Sequence, residues 1–145
     1  KKDCTRLQAV LRENKIACNK LGGRQHYLRW TAPETWQYYE DAGLAYDTTL
    51  SFADHIGFRC GICYEYHPFN VRTRKKLNLL EYPLIVMECS GLDERYMQLS
   101  YDEMLQRCVK LKEQCEKHHG NFVILWHNSR FRTEEERETY FRIIR

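Results

Sequence analysis

Apolar residues recur at helical spacing over residues 5–14, where Leu7, Val10 and Leu11 share one face, and this segment is expected to be a helix. Gly22-Gly23 is expected to break the chain. Residues 24–30 read as a short strand running into a loop. Pro33 suits the first turn of a second helix and Glu34 suits its positive end; this helix runs through Trp36 and Tyr39 and stops at Gly43. Residues 44–46 form a short strand. From 47 to 70 the pattern turns irregular, with Phe52, Phe58, Tyr64, Tyr66 and Phe69 among glycines, as in a long loop. Residues 83–88, PLIVME, make a near-continuous apolar run of the kind found in strands buried on both faces. Ser100 to Glu103 is a capping-box sequence that opens a helix through Met104, Leu105, Cys108, Val109, Leu111 and Cys115, ended by Gly120. Residues 121–126, NFVILW, are a second buried strand, and Thr133 with three glutamates opens the last helix.

The predicted order is α-β-α-β-loop-β-α-β-α. Strands alternate with helices and two strands are apolar throughout, so the expected class is α/β, a parallel sheet with helices outside it. Periodicity leaves an open sheet and a barrel equally available. The chain of 145 residues is long enough for one domain, and a single domain over 1–145 is expected.

Composition changes this picture little. It is that of a globular protein, 43% hydrophobic and 30% charged. Net charge is +3, from 23 basic and 20 acidic residues, too balanced to point to nucleic acid. No apolar stretch approaches the roughly 20 residues of a membrane helix. Seven cysteines, an odd number scattered through helices and strands, read as free thiols of a reducing compartment, which makes the cytoplasm the expected location. Cys60-Gly-Ile-Cys63 is the one close pair. The Tyr64, Tyr66 and Pro68 that follow suit loop or strand rather than the helix a redox motif would open, and structural thiols are the reading beside a metal or redox role. The paired His118-His119 at a helix end suits solvent and the helix dipole. The chain starts at Lys1 rather than Met and ends inside a helical pattern, so it is expected to be part of a longer protein.

Parallel α/β folds place their chemistry at the C-terminal ends of the strands. Arg24, His26 and Tyr27 follow Gly23, Asp47 follows Tyr46, and His127 follows Leu125-Trp126. An arginine, a carboxylate and a histidine delivered from three strand ends suit acid–base hydrolysis.

In that order and spacing these residues resemble the polysaccharide deacetylases, the NodB-like carbohydrate esterases, in a divergent subgroup. The third motif of that family, Arg-x-Pro-Tyr, is matched by Arg24-Gln25-His26-Tyr27 with His26 in place of proline. Asp47 matches the aspartate expected at the next strand end, with Ser51 where the family has a tryptophan. The fifth motif, Leu-x-His, is matched in full by Leu125-Trp126-His127. Gly57-Phe58-Arg59-Cys60-Gly61 and Glu81-Tyr82-Pro83-Leu84 are similar to the divergent subgroup.

The resemblance implies a partial (β/α) barrel of about four or five strands with outer helices, forming the C-terminal portion of the family's fold. It implies metal-dependent N-deacetylation of a polysaccharide, such as a bacterial cell-envelope glycan. His127 would be the general acid, Arg24 would orient the base, and Asp47 would position Arg24 or the histidine. Tyr27, Arg59, Leu125 and Trp126 would contact substrate, Leu125 lining the acetyl pocket. The base and the divalent metal, commonly zinc, belong to the first and second motifs, which precede the third. The residues before Arg24 contain one aspartate, Asp3, and no histidine, so no metal ligand is assigned in this chain. His26 and His55 are the conceivable substitutes. A partial barrel has open strand edges and could associate through them. Two other functions follow from the same residues. One is a non-catalytic carbohydrate-binding remnant, with aromatics of the long loop stacking on sugars, where the same aromatics also suit filling the loop's own small core. The other is a metal or redox protein built on Cys60 and Cys63.

Overall fold

The computed structural model describes residues 2–18 and 20–145. Its described residues form α1 (Lys2–Glu13), β1 (Gly22–Gly23), α2 (Glu34–Asp41), β2 (Tyr46–Asp47), β3 (Phe69–Asn70), β4 (Lys75–Lys76), β5 (Leu80–Glu81), β6 (Val86–Met87), α3 (Glu88–Leu92), α4 (Tyr101–Lys117), β7 (Ile124–Leu125) and α5 (Glu134–Ile144). Short 3-10 turns occupy His26–Leu28 and Asn128–Arg130. The chain divides into two compact units. One takes the described residues up to Thr49 together with Tyr66–Glu81, and the other takes Leu50–Glu65 and Tyr82–Arg145.

In the first unit β1, β2 and β5 form a parallel sheet in the order β1-β2-β5, and β3 pairs with β4 as an antiparallel hairpin. The register sets Gly23 opposite Asp47 and Asp47 opposite Glu81. Gly22-Gly23, expected as a break, is instead the first strand. A Cβ on Gly22 would collide with the Tyr46 ring and one on Gly23 would press on Tyr39, so the aromatic rings fill the space that glycine leaves. Residues 24–30, expected to begin as a strand, carry the 3-10 turn. Helix α2 buries Tyr39 against Leu77 and Leu79, with Trp36 and Leu44 packed around them. It ends at Gly43, whose φ of 76° is costly for any residue with a Cβ. Leu7 and Val10 of α1 remain nearly half exposed.

In the second unit β6 and β7 are parallel, with Val86 opposite Ile124 and Met87 opposite Leu125. Both apolar runs are realised, but in each the strand proper is only the fourth and fifth of its six residues. Ile85 and Val86 are wholly buried among Met104, Leu105, Cys108, Cys115 and Ile143. Helix α4 carries the expected capping box, Ser100 with Glu103, and α5 a second one, Thr133 with Glu136. The first half of the long loop is anchored to this unit. Gly57 N–H donates to Ile85 O at 2.8 Å, Leu84 N–H to Leu50 O at 3.2 Å, and Ser90 Oγ to Ala53 O at 2.9 Å. Gly120 lets the chain pass against Cys63, where the Asn121 N–H donates to the Cys63 carbonyl at 2.6 Å. No helix among the described residues is long and apolar enough to cross a membrane.

Candidate functional site

The strand ends of the first unit bring two carboxyl groups together. Asp47 closes β2, Glu81 closes β5, and the register makes them neighbours with no exposure at either. Asp47 Oδ1 accepts from the Thr49 backbone at 3.0 Å and from its hydroxyl at 2.5 Å. Glu81 Oε2 accepts from Trp36 Nε1 at 2.7 Å. Burial pushes the Asp47 carboxyl up, and hydrogen bonds from Thr49 and Glu81 hold it back in part. Thr49 Oγ1 in turn accepts from the Gln25 backbone at 3.0 Å, and Arg24 Nε donates to Thr48 O at 3.0 Å. Asp47 therefore fixes the residues that hold Arg24, while no ion pair joins the two side chains among the described residues. Tyr39, buried beside Asp47, is pushed up to about 12. Tyr27 adopts a left-handed conformation (φ 60°), stands exposed, and carries the Arg29 guanidinium 5.8 Å from its ring centre.

The remaining predicted residues lie in the second unit. Arg59 Nη1 donates to the Ser51 carbonyl at 2.5 Å and so braces the loop. Leu125 lies on β7 opposite Met87. Trp126 is half-buried, with Nε1 donating to Arg130 O at 3.2 Å and its ring against Tyr140. His127 follows directly.

His127 meets two residues that the sequence reading did not single out. Glu88 is the first residue after β6 and is fully buried. Its Oε1 lies 2.5 Å from His127 Nδ1 and accepts from Cys89 Sγ at 3.2 Å. Cys89 Sγ is 3.7 Å from His127 Nδ1. Glu88 Oε2 is buried without a hydrogen-bond partner. Arg130 pairs with Asp93 and lies within hydrogen-bonding reach of Cys89.

The parallel register explains the meeting. Met87 and Leu125 face each other, so the residues just beyond them emerge at one end of the β6-β7 pair. A buried carboxylate on Nδ1 fixes the ring so that Nδ1–H donates to Glu88 and Nε2 points elsewhere. Nε2 has no protein partner among the described residues, and the His127 side chain is 41% exposed. That is the arrangement of an acid–base histidine held by a carboxylate. Cys89 is not a nucleophile here: burial and the neighbouring Glu88 push its thiol up to about 12, so it keeps its proton.

Glu88, Cys89 and His127 are also the one group among the described residues whose ligand atoms lie close enough to hold a metal. This set is one carboxylate, one thiol and one imidazole. It is not the aspartate and two histidines that the resemblance implies, and those have no counterpart here. His55 contacts Asp54 and stacks on Phe52, and His26 lies against Tyr27; neither belongs to a ligand group. Among the described residues Cys60 and Cys63 gather no third ligand, and none of the seven cysteines is in a disulfide. The signal for Glu88 was present in the sequence, since a carboxylate ending an apolar run must find a partner at that strand end. Compared with known proteins, the chain matches no family model, no curated protein and no solved structure.

Proposed function

We propose that this chain is the C-terminal part of a (β/α) barrel N-deacetylase acting on a polysaccharide or other glycan, in which His127 protonates the leaving amine. The observation that carries the reading is the Glu88–His127 pair, with Nδ1 held at 2.5 Å by a buried carboxylate and Nε2 left open. In amide hydrolysis water adds to the acetyl carbon, the C–N bond breaks, and the amine departs with a proton from an acid at the site. His127 Nε2 is placed to give that proton, and Glu88 steadies the imidazolium and its tautomer. Parallel pairing within β1-β2-β5 and within β6-β7 is the kind of strand pairing a (β/α) barrel also uses. Arg24 and Asp47 enter as positioning residues, Asp47 acting through Thr49 and Gln25. Tyr27, Arg59, Leu125 and Trp126 are the proposed substrate contacts. A reducing, cytoplasmic setting suits seven thiols outside any disulfide.

The divalent metal of such a reaction polarises the acetyl carbonyl and activates water. The residues of this chain do not supply the ligand set that the resemblance implies.

The test is acetate release from N-acetylated oligosaccharides by the complete protein with added zinc. Wild type should release acetate. His127→Ala should lower kcat on the order of 100-fold or more while thermal melting stays intact. Undiminished turnover by His127→Ala would overturn the assignment. Saturable binding without turnover in wild type would leave the carbohydrate-binding remnant as the function.

A further inference from the structure

Glu88, Cys89 and His127 hold one another by hydrogen bonds that a metal ion could replace. Tetrahedral zinc, at about 2.0 Å from oxygen and nitrogen and about 2.3 Å from sulfur, sets its ligand atoms about 3.3 Å apart for O···N and about 3.6 Å apart for S···N and S···O. The observed separations are 3.7 Å for Sγ···Nδ1, 3.2 Å for Sγ···Oε1 and 2.5 Å for Oε1···Nδ1. Two edges of the tetrahedron are already formed to within about 0.4 Å of those lengths. The third is short because a proton lies in it, and exchange of that proton for zinc opens it by about 0.8 Å.

A second observation points the same way. Glu88 is wholly buried, and its Oε2 meets no donor. A buried carboxylate oxygen without a partner is costly, and a divalent cation shared by both oxygens removes that cost. The donor set also fits: one thiolate, one imidazole and one carboxylate are zinc ligands, whereas magnesium and calcium favour oxygen throughout. His127 and Cys89 are only partly buried, so one side of the cluster opens to solvent.

We propose that the Glu88 carboxylate, through both oxygens, with Cys89 Sγ and His127 Nδ1, forms a zinc site with three protein ligands and a further position left to water. A site of this form belongs to the open class rather than the closed structural class. Zinc uptake displaces the thiol proton, while the proton between Glu88 and His127 passes to Nε2 as the imidazole takes its other tautomer, so uptake releases a proton and weakens as the solution is acidified. The ion takes Nδ1, the atom that Glu88 uses to steer the ring. Zinc at this site and the Glu88-steered acid are therefore alternative states of one cluster. The site stands on its own geometry and does not need the deacetylase reading.

Cobalt(II) is the probe, because a cobalt–thiolate bond gives a charge-transfer band in the near ultraviolet. The complete protein, stripped with chelator and then titrated, should take up cobalt with that band, and zinc should bleach it. Cys89→Ser should abolish the band, and His127→Ala should weaken uptake at least tenfold. The double variant Cys60→Ser/Cys63→Ser should leave both unchanged. Absence of the band in wild type, its survival in Cys89→Ser, or its loss in Cys60→Ser/Cys63→Ser overturns the site. The readout is absorption, so it separates the two ideas. Missing band with intact acetate release rejects the zinc site alone, and a full band in protein that released no acetate before the ion was added rejects the deacetylase alone.

Discussion

Asp47 shows how a single buried residue carries a pH dependence. Burial raises its carboxyl above the ordinary 3.8. Between 3.8 and the raised folded value, the folded chain keeps a proton that the unfolded chain has lost. Stability is therefore full below 3.8 and falls as pH rises through the folded value. Asp47→Asn keeps an oxygen for the two Thr49 donors and removes the titrating proton. Its thermal midpoint should gain on wild type steadily as pH rises from acid to neutral. A difference between the two proteins that stayed flat with pH would mean that Asp47 does not titrate in the fold. Asp47→Ala is the harsher change. It strands the Thr49 N–H and hydroxyl, both buried, and should cost about 2–4 kcal/mol at acid pH by urea unfolding, and less as pH rises.

Elements explain which site residues were legible and which were not. His127 could be read because it follows an apolar run, and a polar residue at such a strand end stands out. Glu88 sits in the same position at the end of PLIVME, yet the apolar pattern absorbed it into the strand. Only the pairing of β6 with β7 makes the two residues partners, and pairing is a tertiary fact. Gly22-Gly23 failed as a signal for a similar reason. Two glycines have no propensity for a strand, and what selects them here is the Tyr46 ring of a neighbouring strand against Gly22 and the Tyr39 ring of α2 against Gly23. Helix starts were legible because capping is local. Ser100 with Glu103 and Thr133 with Glu136 each satisfy backbone donors within one turn. Thr133→Ala should accordingly cost α5 about 1 kcal/mol, seen as a lower urea midpoint with an unchanged m-value. An unchanged midpoint would show that Arg132 and Thr133 N–H bonds to Glu136 suffice to start the helix.

At the scale of the whole molecule the seven thiols report on both units at once. Cys18 is exposed, whereas Cys63, Cys108 and Cys115 are buried, and burial pushes the last two up to about 12. A thiol reacts as its thiolate, so both exposure and acidity rank the cysteines. Under native conditions iodoacetamide should modify Cys18 first and leave Cys63, Cys108 and Cys115 untouched, as peptide mapping would show. Cys89 separates the two factors. It is only partly buried, yet desolvation together with the adjoining Glu88 holds its thiol up at about 12, so it should react far more slowly than its exposure suggests. Glu88→Gln removes that neighbouring charge and should speed labelling at Cys89 while leaving Cys18 unchanged. After denaturation without reductant all seven should react, since none is in a disulfide. A total of five would place a disulfide in the native chain and end the assignment to a reducing compartment. Fast labelling of Cys89 in the native wild type would mean that Glu88 does not hold the thiol proton, and the cluster with His127 would have to be drawn differently.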